Sequence, residues 1–213
     1  MPQVLRWHDH PVLIDIVTYD GLDEMDALGP LEVLRSASRH ADLSVRLVTR
    51  QAQDVVTGAY GLSFRPDAVY EPGTADVLIV PGGGWAARAD RGAWGEVRRG
   101  DWLPLLEQAR ESAAVLAGVC TGTMLLAHAK VVGTRRASTH RSAWDDLAAT
   151  GATVVKERVV DDGDLVTSAG VTSGIDLALW LVEREFSPQL ADRVATRMEY
   201  TRQRPTPPPA AAQ

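Results

Sequence analysis

The stretch Gly118-Val119-Cys120-Thr121-Gly122 constrains the fold of this chain more than any other, because it sets the only cysteine between two different periodicities. Before it, Ala113-Ala114-Val115-Leu116-Ala117 is an apolar run of the length of a buried strand. After it, Thr123-Met124-Leu125-Leu126-Ala127-His128-Ala129 reads as the start of a helix. A strand entering a helix through a glycine-flanked turn lifts the apical side chain above the sheet. The helix N-terminus then lies beside the sulfur, which favours the reactive thiolate. A buried, inert cysteine is the competing reading. The flanking glycines favour the nucleophile.

The rest of the chain alternates in the same way. Val12–Val17, Ser44–Thr49 and Asp76–Val80 read as strands, the last nearly all apolar, as a strand covered on both faces requires. Pro30 is expected in the first turn of a helix whose apolar face is Leu31, Val33 and Leu34. Trp102–Ser112 is a helical pattern leading into the cysteine strand, and Ser173–Glu185 and Gln189–Tyr200 read as closing helices. Val55–Val69 suggests a small hairpin or an edge excursion, and Val159–Thr167 a hairpin about an Asp-Gly turn. This alternation predicts an α/β fold with a mostly parallel sheet covered on both faces. A single domain is expected over residues 1–204, with 205–213 a flexible Pro/Ala-rich tail.

Composition narrows the partners. Lysine and arginine number 22 against 28 acids, a formal net charge of −6, which argues against nucleic acid or an anionic membrane surface. One cysteine excludes an internal disulfide framework and a multi-cysteine zinc site. Met1–His10 lacks a signal-peptide pattern and the apolar runs are too short to span a bilayer, so a cytoplasmic setting is expected.

Two further segments carry chemistry. Pro81-Gly82-Gly83-Gly84 follows the Asp76–Val80 strand, where ligands bind in open α/β sheets, and its amides suit an oxyanion site. The lysine of a phosphate-binding loop is absent. In Asp23-Glu24-Met25-Asp26-Ala27-Leu28-Gly29-Pro30, Asp23 and Glu24 read as helix-capping or solvated carboxylates. Asp26, among apolar neighbours, reads as an enclosed carboxylate with a raised pKa, able to exchange a proton with a thiol. His8, His10, His40 and His128 read as surface or structural, and Trp85 as a side chain able to shape the site.

Taken together, Met25-Asp26, Gly29-Pro30-Leu31-Glu32-Val33, Val80-Pro81-Gly82-Gly83, Gly118-Val119-Cys120-Thr121-Gly122 and Thr139-His140 resemble the DJ-1/PfpI superfamily. Within it the pattern is most similar to the isocyanide (isonitrile) hydratases and to amidotransferase-like domains of AraC-type regulators. The resemblance runs from about Val12 to Tyr200 and implies a flavodoxin-like three-layer α/β sandwich, a homodimer, and no metal or organic cofactor. It assigns the nucleophile to Cys120 and the acid to Asp26, and it sets the backbone N–H groups of Gly83 and Thr121 at the oxyanion site. His140 matches a histidine often found near the cysteine. Two departures from the subgroup's pattern are expected to fall near the pocket: Ala27-Leu28 stands where the subgroup has Leu-Thr, and Arg141 where it has Trp.

The expected activity is addition of water to an isocyanide through a covalent thioimidate, giving an N-substituted formamide, with a small molecule as the partner. A ligand-sensing domain without turnover and a glyoxal-detoxifying or redox protein using the same cysteine are the alternatives.

Overall fold

The computed structural model describes residues 10–112 and 115–206. Residues 1–9 (with His8), Ala113-Ala114 of the expected cysteine strand and residues 207–213 of the expected tail lie outside the described residues. The chain begins with strand β1 (Val12–Val17), helix α1 (Glu24–Ala37) and strand β2 (Leu43–Thr49). A hairpin of β3 (Val56–Thr57) and β4 (Ser63–Phe64) precedes the short β5 (Ala68–Val69). Then come β6 (Val77–Val80), α2 (Ala93–Arg99), α3 (Leu103–Glu111), β7 (Val115–Val119) and α4 (Gly122–His128). The small parallel pair β8 (Arg136–Ala137) and β9 (Thr153–Val154) brackets a 3-10 turn at Arg141–Ala143 and α5 (Trp144–Ala149). Strands β10 (Val159–Asp161) and β11 (Leu165–Ser168), then α6 (Ser173–Glu185) and α7 (Pro188–Arg197), complete the described elements.

The main sheet has seven strands in the order β10-β11-β7-β6-β1-β2-β5. Its neighbours pair in parallel except β10 with β11, which form the expected hairpin. Helices cover both faces, α1, α6 and α7 packing together on one and α4 against α2 and α3 on the other. Accordingly β6 and β7 are buried at every position, and so carry apolar runs with no polar alternation. The order reverses beside β1, whose neighbours β2 and β6 continue the sheet in opposite directions. At such a switch point the loops leaving the carboxyl ends of the strands splay apart and leave a crevice. The segments after β1, β6 and β7 all open there.

One helix starts earlier than the sequence pattern suggests. Asp23 is the N-cap of α1, its side chain accepting from Met25 N–H at 3.1 Å, and Pro30 lies inside the helix. A proline there deprives the Asp26 carbonyl of its helical donor. The helix runs through regardless because Gly29 and Pro30 are buried against Ile175 and Gly174 of α6, and tertiary burial outweighs local propensity.

Candidate active site

Cys120 stands between β7 and α4 with φ of +55°, in the left-handed region that non-glycine residues seldom occupy. The strain of the elbow therefore sits on the cysteine itself. The flanking glycines serve close approach instead: a Cβ on Gly122 would lie 1.9 Å from the Val80 carbonyl oxygen, and one on Gly118 would lie 2.6 Å from Thr123 Oγ1. The elbow is held from three sides. Cys120 N–H donates to the carbonyls of Ser168 and Ala169 at 3.2 and 3.0 Å, and Thr139 Oγ1 donates to the Cys120 carbonyl at 2.8 Å.

The side chain is not exposed above the sheet as the elbow pattern suggests; Cys120 is only 6% exposed. It still lines the floor of a cleft of about 570 Å³ whose walls include Asp23, Tyr60, Trp85, Arg91 and His140. Burial, then the neighbouring Asp26 carboxylate, pushes the Cys120 thiol up, while the backbone N–H groups of Thr121 and Val171 hydrogen-bond the sulfur and pull it down. The thiol is therefore raised on balance and not lowered as the sequence suggests, because desolvation and a nearby carboxylate outweigh the amide hydrogen bonds.

Asp26 is fully buried beneath the cysteine. Its Oδ2 accepts from Gly82 N–H at 3.0 Å, and apart from the Cys120 thiol its Oδ1 has no partner among the described residues. Burial, then the charge of Asp23, holds this carboxyl well above the usual carboxylate range. Two acids in contact, with no cation beside them among the described residues, release their protons as a pair. The hydrogen bond between this thiol and this carboxyl is the central feature of the site.

The glycine loop is arranged differently from the oxyanion geometry that the resemblance implies. Gly83 N–H donates to Thr121 Oγ1 at 2.9 Å, so this amide is engaged by the threonine side chain and unavailable for the sulfur. The amides that reach the sulfur are those of Thr121, which the resemblance set at the oxyanion site, and Val171, which sequence reasoning missed. Tyr19 was also missed: its hydroxyl donates to the Pro81 carbonyl at 2.5 Å and so pins the same loop. Its position directly beyond β1 was the available signal. Glu24 is not solvated; it is buried, and its Oε1 accepts from the N–H groups of Tyr60 and Leu62 at 2.8 and 3.2 Å, tying down the β3–β4 hairpin. Trp85 is buried on the cleft wall and donates through Nε1 to Asp146 at 2.6 Å. His140 lines the cleft, whereas His128 Nδ1 lies 2.8 Å from the Met124 carbonyl oxygen, in a structural contact. Among the described residues no group of three or more His, Cys, Asp or Glu is placed to hold a metal ion, and no helix is long and apolar enough to cross a membrane.

Comparison with known proteins adds the family. A sequence model of the DJ-1/PfpI family matches residues 12–184, from β1 into the last turn of α6. The chain belongs to the DJ-1/PfpI family. Isonitrile hydratase of Pseudomonas putida is 33% identical over 196 residues, covering 92% of this chain and 80% of that enzyme. The HTH-type transcriptional regulator CdhR of Pseudomonas aeruginosa is also 33% identical, over 189 residues, but the match covers only 54% of the regulator and 87% of this chain. A ThiJ/PfpI family protein from Pseudomonas syringae superposes with a TM-score of 0.80 at 29% identity, covering 95% of this chain and 79% of that one. Cys120, Asp26 and the cleft all fall within the matched segment.

Proposed function

We propose that this DJ-1/PfpI protein is a cysteine-dependent hydratase that converts an isocyanide and water to an N-substituted formamide. The observation that carries this reading is the buried Cys120–Asp26 pair, a nucleophile hydrogen-bonded to an acid, in an open cleft. The similarity to isonitrile hydratase supports the choice of substrate class.

An isocyanide is attacked at its terminal carbon. The Cys120 sulfur forms the S–C bond there, and the proton held between sulfur and Asp26 passes to that carbon, giving a thioimidate, R–N=CH–S–Cys. Water then adds to the same carbon, with one of its protons going to the nitrogen. The tetrahedral intermediate collapses by breaking the C–S bond; the hydroxyl proton returns to the pair and R–NH–CHO leaves. Covalent capture divides one difficult hydration into two easier additions. Asp26 handles the proton in both halves, which general acid–base catalysis rewards when the carboxyl pKa is raised towards the operating range. The amides of Thr121 and Val171 steady the sulfur whenever it carries charge.

A ligand-sensing role without turnover is favoured by one observation, the equal identity to a transcriptional regulator. Homodimerisation and a cytoplasmic location belong to the same reading as expectations, and sedimentation at micromolar concentration tests the first. The deciding experiment incubates the purified protein with simple isocyanides, glyoxals and amides. Formamide production that disappears in Cys120→Ser supports the hydratase. Consumption of glyoxal alone, or binding without turnover, replaces it with one of the alternatives.

A further inference from the structure

The contacts of His140, a cleft side chain, locate its ring proton. Its Nδ1 accepts a hydrogen bond from the backbone N–H of Ser142 at 3.2 Å and lies 2.8 Å from Ser142 Oγ. A backbone N–H can only donate, so Nδ1 must offer a lone pair, and the single proton of the neutral ring resides on Nε2. Protonating the ring would set Nδ1–H against Ser142 N–H and cost the bond. The charged groups that act on the ring are Arg141 and Asp23; burial and Arg141 lower its pKa, and Asp23 opposes them only in part.

The ring is also fixed in place. Thr139, the preceding residue, is bonded to the Cys120 carbonyl, which ties this segment to the elbow. On its other edge the ring fills the space left by Gly170, where a Cβ would lie 2.6 Å from His140 Cδ2. Nε2 has no hydrogen-bond partner among the described residues, while His140 and Cys120 line the same cleft.

We propose that His140 is a fixed Nε2–H hydrogen-bond donor to the bound substrate and not a general base. The catalytic part of this proposal rests on the hydratase reading. There the donor is directed to the substrate nitrogen, whose lone pair persists in the thioimidate; a hydrogen bond to it polarises the C=N bond towards water without itself transferring a proton. A neutral imidazole suits that task because it donates without carrying charge into the cleft.

Two measurements test the proposal separately. Nitrogen-15 NMR of the imidazole in the wild-type protein at neutral pH should show a neutral ring protonated at Nε2. A ring protonated at Nδ1, or an imidazolium, overturns the proposal whatever the protein does with isocyanides. In turnover assays, His140→Gln, whose carboxamide N–H reaches the Nε2 position, should keep about a tenth of the wild-type kcat or more. His140→Asn, which reaches only the Nδ1 position, and His140→Leu should fall by roughly 10²–10³-fold, the cost of one donor aimed at developing charge. Equal, near-complete loss in the Gln and Leu variants would mean that the ring accepts a proton, and the donor role falls. Failure of the wild-type protein to hydrate any isocyanide removes the substrate reading alone, since the NMR signal still decides where the proton sits.

Discussion

Asp26 and Asp176 are both fully buried carboxylates on helices of the same face, yet they are provisioned in opposite ways. Asp176 receives Arg158 Nε and the Tyr200 hydroxyl on Oδ2, the latter at 2.7 Å, and Gln203 N–H on Oδ1 at 2.6 Å. Arg158 also reaches the Thr172 carbonyl at 2.8 Å, so the cluster joins the residue before β10, the loop before α6 and the C-terminal segment. Among the described residues Asp26 has one amide, a thiol and no cation. A buried carboxylate supplied with donors and a counter-charge is part of the structure. One left short of both keeps its proton, which suits the acid–base role proposed for Asp26.

The comparison is easiest to break at Asp26. Asp26→Asn preserves the shape and removes the titrating proton, so formamide production should fall by roughly 10²–10⁴-fold in initial-rate assays, with Cys120→Ser at least as damaging. A fully active Asp26→Asn protein would make the two carboxylates equivalent after all.

At Asp176 the loss should be one of stability. Asp176→Asn breaks a buried ion pair and should lower the urea-unfolding free energy by roughly 3–5 kcal/mol. The lower end is expected, because the Arg158 side chain is 27% exposed. A change of less than about 0.5 kcal/mol, the scatter of ordinary surface substitutions, would show that the clamp contributes little.

The pH dependence of stability sharpens the contrast through its sign. The raised pKa of Asp26 means that above about pH 4, where an unfolded aspartate ionises, the native state binds the extra proton. Unfolding free energy should therefore fall as pH rises towards the folded value, and Asp26→Asn should flatten that fall and stabilise the protein at pH 8 relative to wild type. Parallel pH profiles for the two proteins would contradict the burial argument. The smallest effect is expected from Tyr200→Phe, which removes a single donor to Asp176 and should cost about 0.5–1.5 kcal/mol in the same urea titration.

The sequence showed these regions unevenly. Strand β2 was legible because its β-branched and apolar residues alternate with polar ones, the β10–β11 hairpin because an Asp-Gly turn leaves its own mark, and strands β1 and β6 because double-sided burial leaves an apolar run. The Cys120 elbow was legible for the same reason, as was the enclosure of Asp26. The entry of α1 was legible only in part: Asp23 read as a possible cap, while Leu31, Val33 and Leu34 drew the first turn to Pro30. Val171 was invisible because it acts through a backbone N–H, and every residue but proline has one. Arg158, Asp176 and Tyr200 meet across separations of 18 and 24 residues, and no local periodicity encodes such a meeting. The hydrogen bond from Gly83 to Thr121 was hidden likewise, as a side chain crossing between two loops.

Where backbone presses on backbone, substitution has little room. A Cβ on Gly82 would lie 2.5 Å from Thr121 N, and one on Gly122 would lie 1.9 Å from the Val80 oxygen, so the loops after β6 and β7 meet through main-chain atoms. The position of the sulfur is thereby insulated from the identities of Tyr60, Trp85, Arg91 and His140, which reach the cleft from other stretches of chain. Such an arrangement lets a lineage exchange its cleft side chains, and with them its substrates, while the nucleophile stays where it is. The glycines are what evolution must hold still for the rest of the site to be free to change.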